Sequence, residues 1–205
     1  MNRNVMNRLS IAAVALVLVL PLTAGCSESS GGLVQNPLVA TFSGDMDPIV
    51  DNSVSLQPVA AGSSDTFNLN VVVGAIDGAN ALAIKIHFNH FFVEFVSGDF
   101  SASFLQGTLV AAEFDTGATL FAPGVVDVYA ARRGAAVSGL PMLPGATGIL
   151  CTLTFKAIAA TTGNPTGSGV LAIDETDNLI TVCPAGGGAC TKATVTFGNG
   201  KMTAQ

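Results

Sequence analysis

Gly148-Ile149-Leu150-Cys151-Thr152-Leu153-Thr154-Phe155-Lys156-Ala157-Ile158 decides how the rest of this chain is read. Ile149, Cys151, Leu153, Phe155 and Ala157 alternate with Leu150, Thr152, Thr154 and Lys156. That period of two suits a half-buried β-strand and does not suit a helix. Thr and Ile favour the extended backbone. Gly148 opens the run, and Thr161-Thr162-Gly163-Asn164-Pro165 closes it with turn-forming residues. A strand with one apolar face must cover that face with a second layer, so two packed sheets are expected.

The same alternation recurs on both sides of this run. Upstream it marks strands over Val54–Val59 and Thr66–Val73. Leu82, Ile84, Ile86 and Phe88 alternate with Ala83, Lys85, His87 and Asn89. Phe91–Val96, Thr108–Phe114 and Val125–Ala131 follow, with a loop over Gly134–Gly148. Downstream, Gly169–Ile173 and Leu179–Cys183 read as short strands around a solvated turn, Asp174-Glu175-Thr176-Asp177-Asn178. Ala193–Phe197, a Gly198-Asn199-Gly200 turn and Lys201–Ala204 complete the chain. About nine short strands without a helical period predict an all-β, two-sheet jelly-roll sandwich over residues 53–205.

The first residues read as an export signal. Arg3 and Arg8 precede an apolar run, Leu9–Leu22, which is too short for a comfortable membrane span. It ends in Leu22-Thr23-Ala24-Gly25-Cys26, which resembles the lipobox of bacterial lipoproteins, although Thr23 departs from the usual Leu. The resemblance implies cleavage after residue 25 and lipid attachment at Cys26, an ordinary signal peptide being the alternative. More than one acyl chain anchors firmly. Residues 26–52, with Ser-Glu-Ser-Ser-Gly-Gly and two prolines, then read as a flexible tether. The expected address is a bacterial cell envelope, at the outer membrane or cell surface, because the Asp of many inner-membrane lipoproteins is replaced by Ser27.

All 14 Asp and Glu residues follow residue 25, whereas Arg3 and Arg8 precede it, leaving a formal charge of −8. An acidic chain without a basic patch argues against nucleic acid and anionic lipid as partners. Cys183 and Cys190 bracket a glycine-rich loop, and export to an oxidising compartment makes a disulfide the expectation. Closing so short a loop stabilises by roughly 2–3 kcal/mol on the chain-entropy model. Cys151 reads as a core residue. Asp45, Asp47 and Asp51 raise calcium as an alternative but lack the Gly and terminal Glu of an EF-hand loop and read as linker acids, so no metal or other cofactor is expected.

The order of these segments resembles the cohesin domain of bacterial cellulosomes, over Val54–Ala204. The matching pieces are the turn Ala61-Gly62, Phe88-Asn89-His90 and Val93-Glu94 on the strand pair, and Gly148–Phe155 for the family's Gly-x-Leu-x-x-Ile-x-Phe strand. Val195-Thr196-Phe197-Gly198-Asn199-Gly200-Lys201-Met202 is similar to its closing strand. The resemblance implies a jelly-roll module that binds dockerins through one sheet face. The polar pair that the family carries on its third strand falls at Ala81 and Ala83, which offer no side-chain hydrogen bonds. Lys85, His87 and Asn89 are left to contact a partner on that face.

Other constellations weigh less. Within one strand His87 and His90 point to opposite faces, which excludes a shared metal without a bend. No Ser/His/Asp or Cys/His set assembles, and Asp174, Glu175 and Asp177 do not face each other across a cleft as glycosidase carboxylates do. The chain is therefore not expected to be an enzyme. The first reading is an envelope-anchored module that docks a protein, dockerin-like by the resemblance. A carbohydrate-binding sandwich is the runner-up. Against it stand the absence of Trp and a single tyrosine, Tyr129. A structural envelope lipoprotein without a ligand is the third. Replacing Cys26→Ala is expected to move the protein from the membrane fraction to the soluble fraction, as read by fractionation and immunoblotting.

Overall fold

The computed structural model describes residues 37–60, 64–107, 109, 113–133, 139–165, 167–185 and 188–205. Cys26 and the leader lie outside them, as do Ala61 and Gly62. Twelve strands and no α-helix form among the described residues. They are β1 (Ala40–Gly44), β2 (Ser53–Pro58), β3 (Thr66–Gly74), β4 (Ala79–Phe88), β5 (Val93–Asp99) and β6 (Phe114–Ala122). β7 (Val125–Arg132), β8 (Thr147–Ala157), β9 (Val170–Val182), β10 (Thr191–Lys192), β11 (Thr196–Gly198) and β12 (Gly200–Ala204) follow. One sheet has the order β1-β12-β9-β4-β7-β6, with β10 also on β9; the other has the order β11-β2-β3-β8-β5. The chain stays within one sheet only from β2 to β3, from β6 to β7 and from β9 to β10, and changes sheet at every other connection. The fold is the all-β, two-sheet jelly-roll sandwich that the alternation predicts.

The strand read first is an interior strand of the five-stranded sheet, antiparallel to β3 on one side and to the edge strand β5 on the other. Its Phe155 is fully buried. The ring stacks on Phe67 of β3 at 5.8 Å and meets Phe95 of β5 edge-on at 5.5 Å. It also meets Phe88 of β4, in the opposite sheet, edge-on at 5.4 Å. Such edge contacts place the positive ring edge on the negative face and add to the burial itself. Leu69, Leu82, Ile86, Leu153, Leu171 and Ile180 fill the space around these rings.

Alternation along β8 breaks at one point. Val71 pairs with Cys151 but Val72 pairs with Ile149, so Leu150 is the extra residue of a β-bulge. Leu150 and Cys151 both turn inward, and Ile149 is only partly buried. Strict period-two reading put Ile149 inside and Leu150 outside, and a bulge reverses that parity for residues before it. Burial also pushes the Cys151 thiol up from its ordinary pKa, which suits a core residue.

Three further expectations are corrected. The tether does not extend to residue 52. β1 pairs with β12 over five residues, from Ala40↔Ala204 to Gly44↔Gly200. Val39 and Gln205 exchange backbone hydrogen bonds at 3.0 and 3.3 Å. Asp51 accepts the Gly145 amide at 2.8 Å and the Gln57 carboxamide donates to the Met46 carbonyl at 2.7 Å, so the segment between β1 and β2 is fastened to the sandwich. Of the expected strand Thr108–Phe114, Leu109 and Glu113 lie outside any strand and only Phe114 belongs to one, as the first residue of β6. Residues 103–107 form turns, with Leu105 as a fully buried plug, and the strand lies further on, at β6. Finally, β9 is one strand of 13 residues where two short ones were expected.

Phe155→Ala removes the ring that both sheets share. The expected outcome is a loss of about 3–5 kcal/mol of stability in urea unfolding, against a much smaller loss for Phe121→Ala, whose ring is exposed.

Candidate functional site: the outer face of the seven-stranded sheet

On β4, Leu82, Ile84, Ile86 and Phe88 are buried, which turns Ala81, Ala83, Lys85 and His87 outward. Register fixes what stands beside each. Ala83 lies between Tyr129 of β7 and Leu179 of β9. Lys85 faces Asp127 of β7, and His87 lies between Val125 of β7 and Ala172 of β9. Tyr129 and Leu179 are 37% and 52% exposed, large apolar surface left open beside a residue with almost no side chain. The result is a groove of about 230 Å³ floored by Ala83, with Lys85, Asp127 and Asp177 at one end.

The tyrosine wall depends on Gly117 of β6, which pairs with Tyr129. A Cβ at Gly117 would lie 2.5 Å from the Tyr129 ring. Glycine there lets the ring lie down across β6, and the same glycine dilutes the alternation by which β6 would have been recognised.

The acidic turn expected at Asp174–Asn178 is a bulge inside β9. Ile173 pairs with Ile86 and Asn178 with Ile84, so four residues of β9 stand opposite Lys85 alone. The insertion holds itself together. Asp174 Oδ1 accepts the Thr176 amide at 2.8 Å, the Thr176 hydroxyl at 2.7 Å and the Asp177 amide at 3.0 Å. Asn178 Nδ2 donates to the Glu175 carbonyl at 2.7 Å. These donors, the Asp177 amide foremost, hold the Asp174 carboxyl well below the usual carboxylate range. A depressed native pKa means that the contribution is present above the unfolded value and fades as pH falls below roughly 4.

The bulge is also tied to β4. His87 Nε2 lies 3.1 Å from Asp174 Oδ2. The Lys85 ammonium donates to the Asp177 carboxylate and lies 4.7 Å from the centroid of the Phe121 ring. The hydrogen bond to Asp177 raises the Lys85 pKa, and the charges of Asp177, Asp127 and Asp174 add to it.

Of the residues singled out in the sequence, Lys85 and His87 share this face. Asn89 does not. It lies beyond the end of β4, where its Oδ1 accepts the Phe91 amide at 3.1 Å and its carbonyl accepts the Phe92 and Val93 amides, both at 3.0 Å. A turn so organised uses the side chain locally. His90 is exposed in that turn, its ring 4.1 Å from that of Phe91. Cys183 and Cys190 form the disulfide, joining the end of β9 to the approach to β10. Among the described residues, no group of three or more His, Cys, Asp or Glu side chains is placed to hold a metal ion. Tyr129, Leu179 and Phe121 were not singled out for this face.

No protein-family model matches the chain, and no curated protein does. Solved structures similar to it include cohesin modules, the family that the sequence pattern resembles. The sixth cohesin of scaffoldin B from Acetivibrio cellulolyticus, solved with a Cel5 dockerin mutant, is 15% identical. That match covers 73% of this chain and 95% of the cohesin, with a TM-score of 0.48. The seventh ScaB type I cohesin from Pseudobacteroides cellulosolvens is 12% identical, covering 72% and 87%, with a TM-score of 0.49. The OlpC cohesin from Clostridium thermocellum, solved in a type I cohesin–dockerin complex, is 13% identical, covering 77% and 97%, with a TM-score of 0.49.

Asp174→Ala removes the acceptor that closes the bulge. Amide hydrogen exchange at Thr176 and Asp177 is expected to quicken roughly tenfold or more, with the β8 amides unchanged.

Proposed function

We propose that this domain is a protein-docking module that presents the outer face of the seven-stranded sheet to its partner, and that a lipid on Cys26 holds it at a bacterial cell envelope. The observation that carries the docking reading is the exposed Tyr129–Ala83–Leu179 row, rimmed by Lys85, His87, Asp174 and Asp177. An apolar centre with an aromatic anchor and a charged rim is how protein interfaces are built. The opposite sheet offers a different surface. Thr152 and Thr154 donate to the Asn70 and Asn68 carboxamides at 2.7 and 2.9 Å, so its polar side chains satisfy one another. The cohesin pattern of the sequence makes a dockerin-like module the partner to try first. The anchor rests on the leader and the Thr23-Ala24-Gly25-Cys26 sequence alone.

The full-length protein, immobilised from detergent, is to be tested against purified dockerin modules, envelope extract and insoluble glycans. A protein partner is expected, and Tyr129→Ala or Leu179→Ala is expected to weaken its binding roughly tenfold, measured by calorimetry. Asn68→Ala on the other sheet is expected to leave it unchanged. Retention on cellulose or chitin without a protein partner would overturn the reading.

A further inference from the structure

Resting on the docking reading, we infer that the groove over Ala83 receives a lysine or arginine side chain of the partner. Its shape comes from the register. Tyr129 and Leu179 form two apolar walls, and Ala83 leaves the floor between them open. A long aliphatic stem fits such a slot, and an aromatic wall favours a cation at its end.

The charges at the end of the groove select the same occupant. Two ammonium groups stand there: Lys192 Nζ donates to the Asn178 carbonyl at 2.8 Å, and on Lys85 the carboxylates of Asp127, Asp174 and Asp177 all act. Lys85 is already committed, hydrogen-bonded to Asp177 and set over the Phe121 ring. Asp174 is served by the Thr176 and Asp177 amides and by His87. Asp127 has the Lys85 charge nearby but is incompletely hydrogen-bonded. It lines the groove, and its Oδ1 is shielded from solvent without any hydrogen-bond donor. A carboxylate in that condition lacks compensation for its lost water. An incoming guanidinium or ammonium adds positive charge beside the three carboxylates at the groove end, whereas an acidic or neutral anchor does not. The net charge of −6 over the whole chain draws basic partners toward it in the same sense.

The probes are the capped tripeptides Gly-Arg-Gly, Gly-Lys-Gly, Gly-Glu-Gly and Gly-Leu-Gly, titrated into the isotope-labelled full chain and followed by amide chemical shifts. The Arg and Lys peptides are expected to give saturable shifts centred on Ala83, Asp127, Tyr129 and Leu179. The Glu and Leu peptides are expected to leave those signals in place. Asp127→Asn, nearly the same in shape, is expected to weaken the Arg peptide roughly tenfold. Ala83→Leu, which fills an exposed floor, is expected to abolish the shifts. Equal response to the Leu peptide, or no saturable response to Arg and Lys at these residues, would overturn the inference. A protein partner whose affinity falls with Tyr129→Ala but not with Asp127→Asn would also overturn it, while leaving the docking face in place.

Discussion

The contact between Phe155 and Phe88 is what makes two sheets into one body. Phe155 stands on an interior strand of the five-stranded sheet, between Phe67 and Phe95 of its neighbouring strands, and its ring crosses the interior to meet β4. Because side chains alternate along a strand, fixing Phe88 inward fixes His87, Lys85 and Ala83 outward. The direction of every residue proposed for docking on β4 is therefore set from inside the protein. The outer face is as firm as the core behind it.

Against that firm background β9 does something a strand seldom does. It carries four residues past a single residue of β4 and still pairs on both sides of the interruption. The insertion is tolerable because its backbone amides are not left unpaired. Asp174 takes up two of them, and a paired backbone donor avoids the desolvation cost of an orphaned one. A polar ridge thus rises in the middle of a sheet, close enough for an ion pair with Lys85 and a hydrogen bond with His87. Neither β4 nor the bulge alone would produce the mixture of charge and apolar surface found there.

How much of this was legible in the sequence depended on whether alternation survived locally. β3, β4, β7 and, beyond its bulge, β8 kept it and were placed within a few residues. β6 lost it at Gly117 and Ala118, because the tyrosine ring needs the space, and β1 was hidden among residues that resemble a linker. Leu150 was put on the wrong side because a bulge is invisible to a period-two pattern. In β9 the cluster Asp174–Asn178 carries the composition of a turn, and only cross-strand pairing reveals that the strand continues. On the site, Lys85 and His87 followed directly from parity. Tyr129 and Leu179 were available by the same rule, since Val128, Ala130 and Ile180 point inward. Their importance came from facing the small Ala83, and that is a matter of register between strands distant in sequence.

The pairing of β1 with β12 sets how the domain meets a mechanical load. Val39 and Gln205 are hydrogen-bonded neighbours, so sequence joined at either end would leave from one spot on the surface. Pulling those two points apart opens the β1–β12 ladder like a zipper, one bond after another, a softer response than shearing all the bonds together. Such a module would yield readily to traction applied between residues 39 and 205.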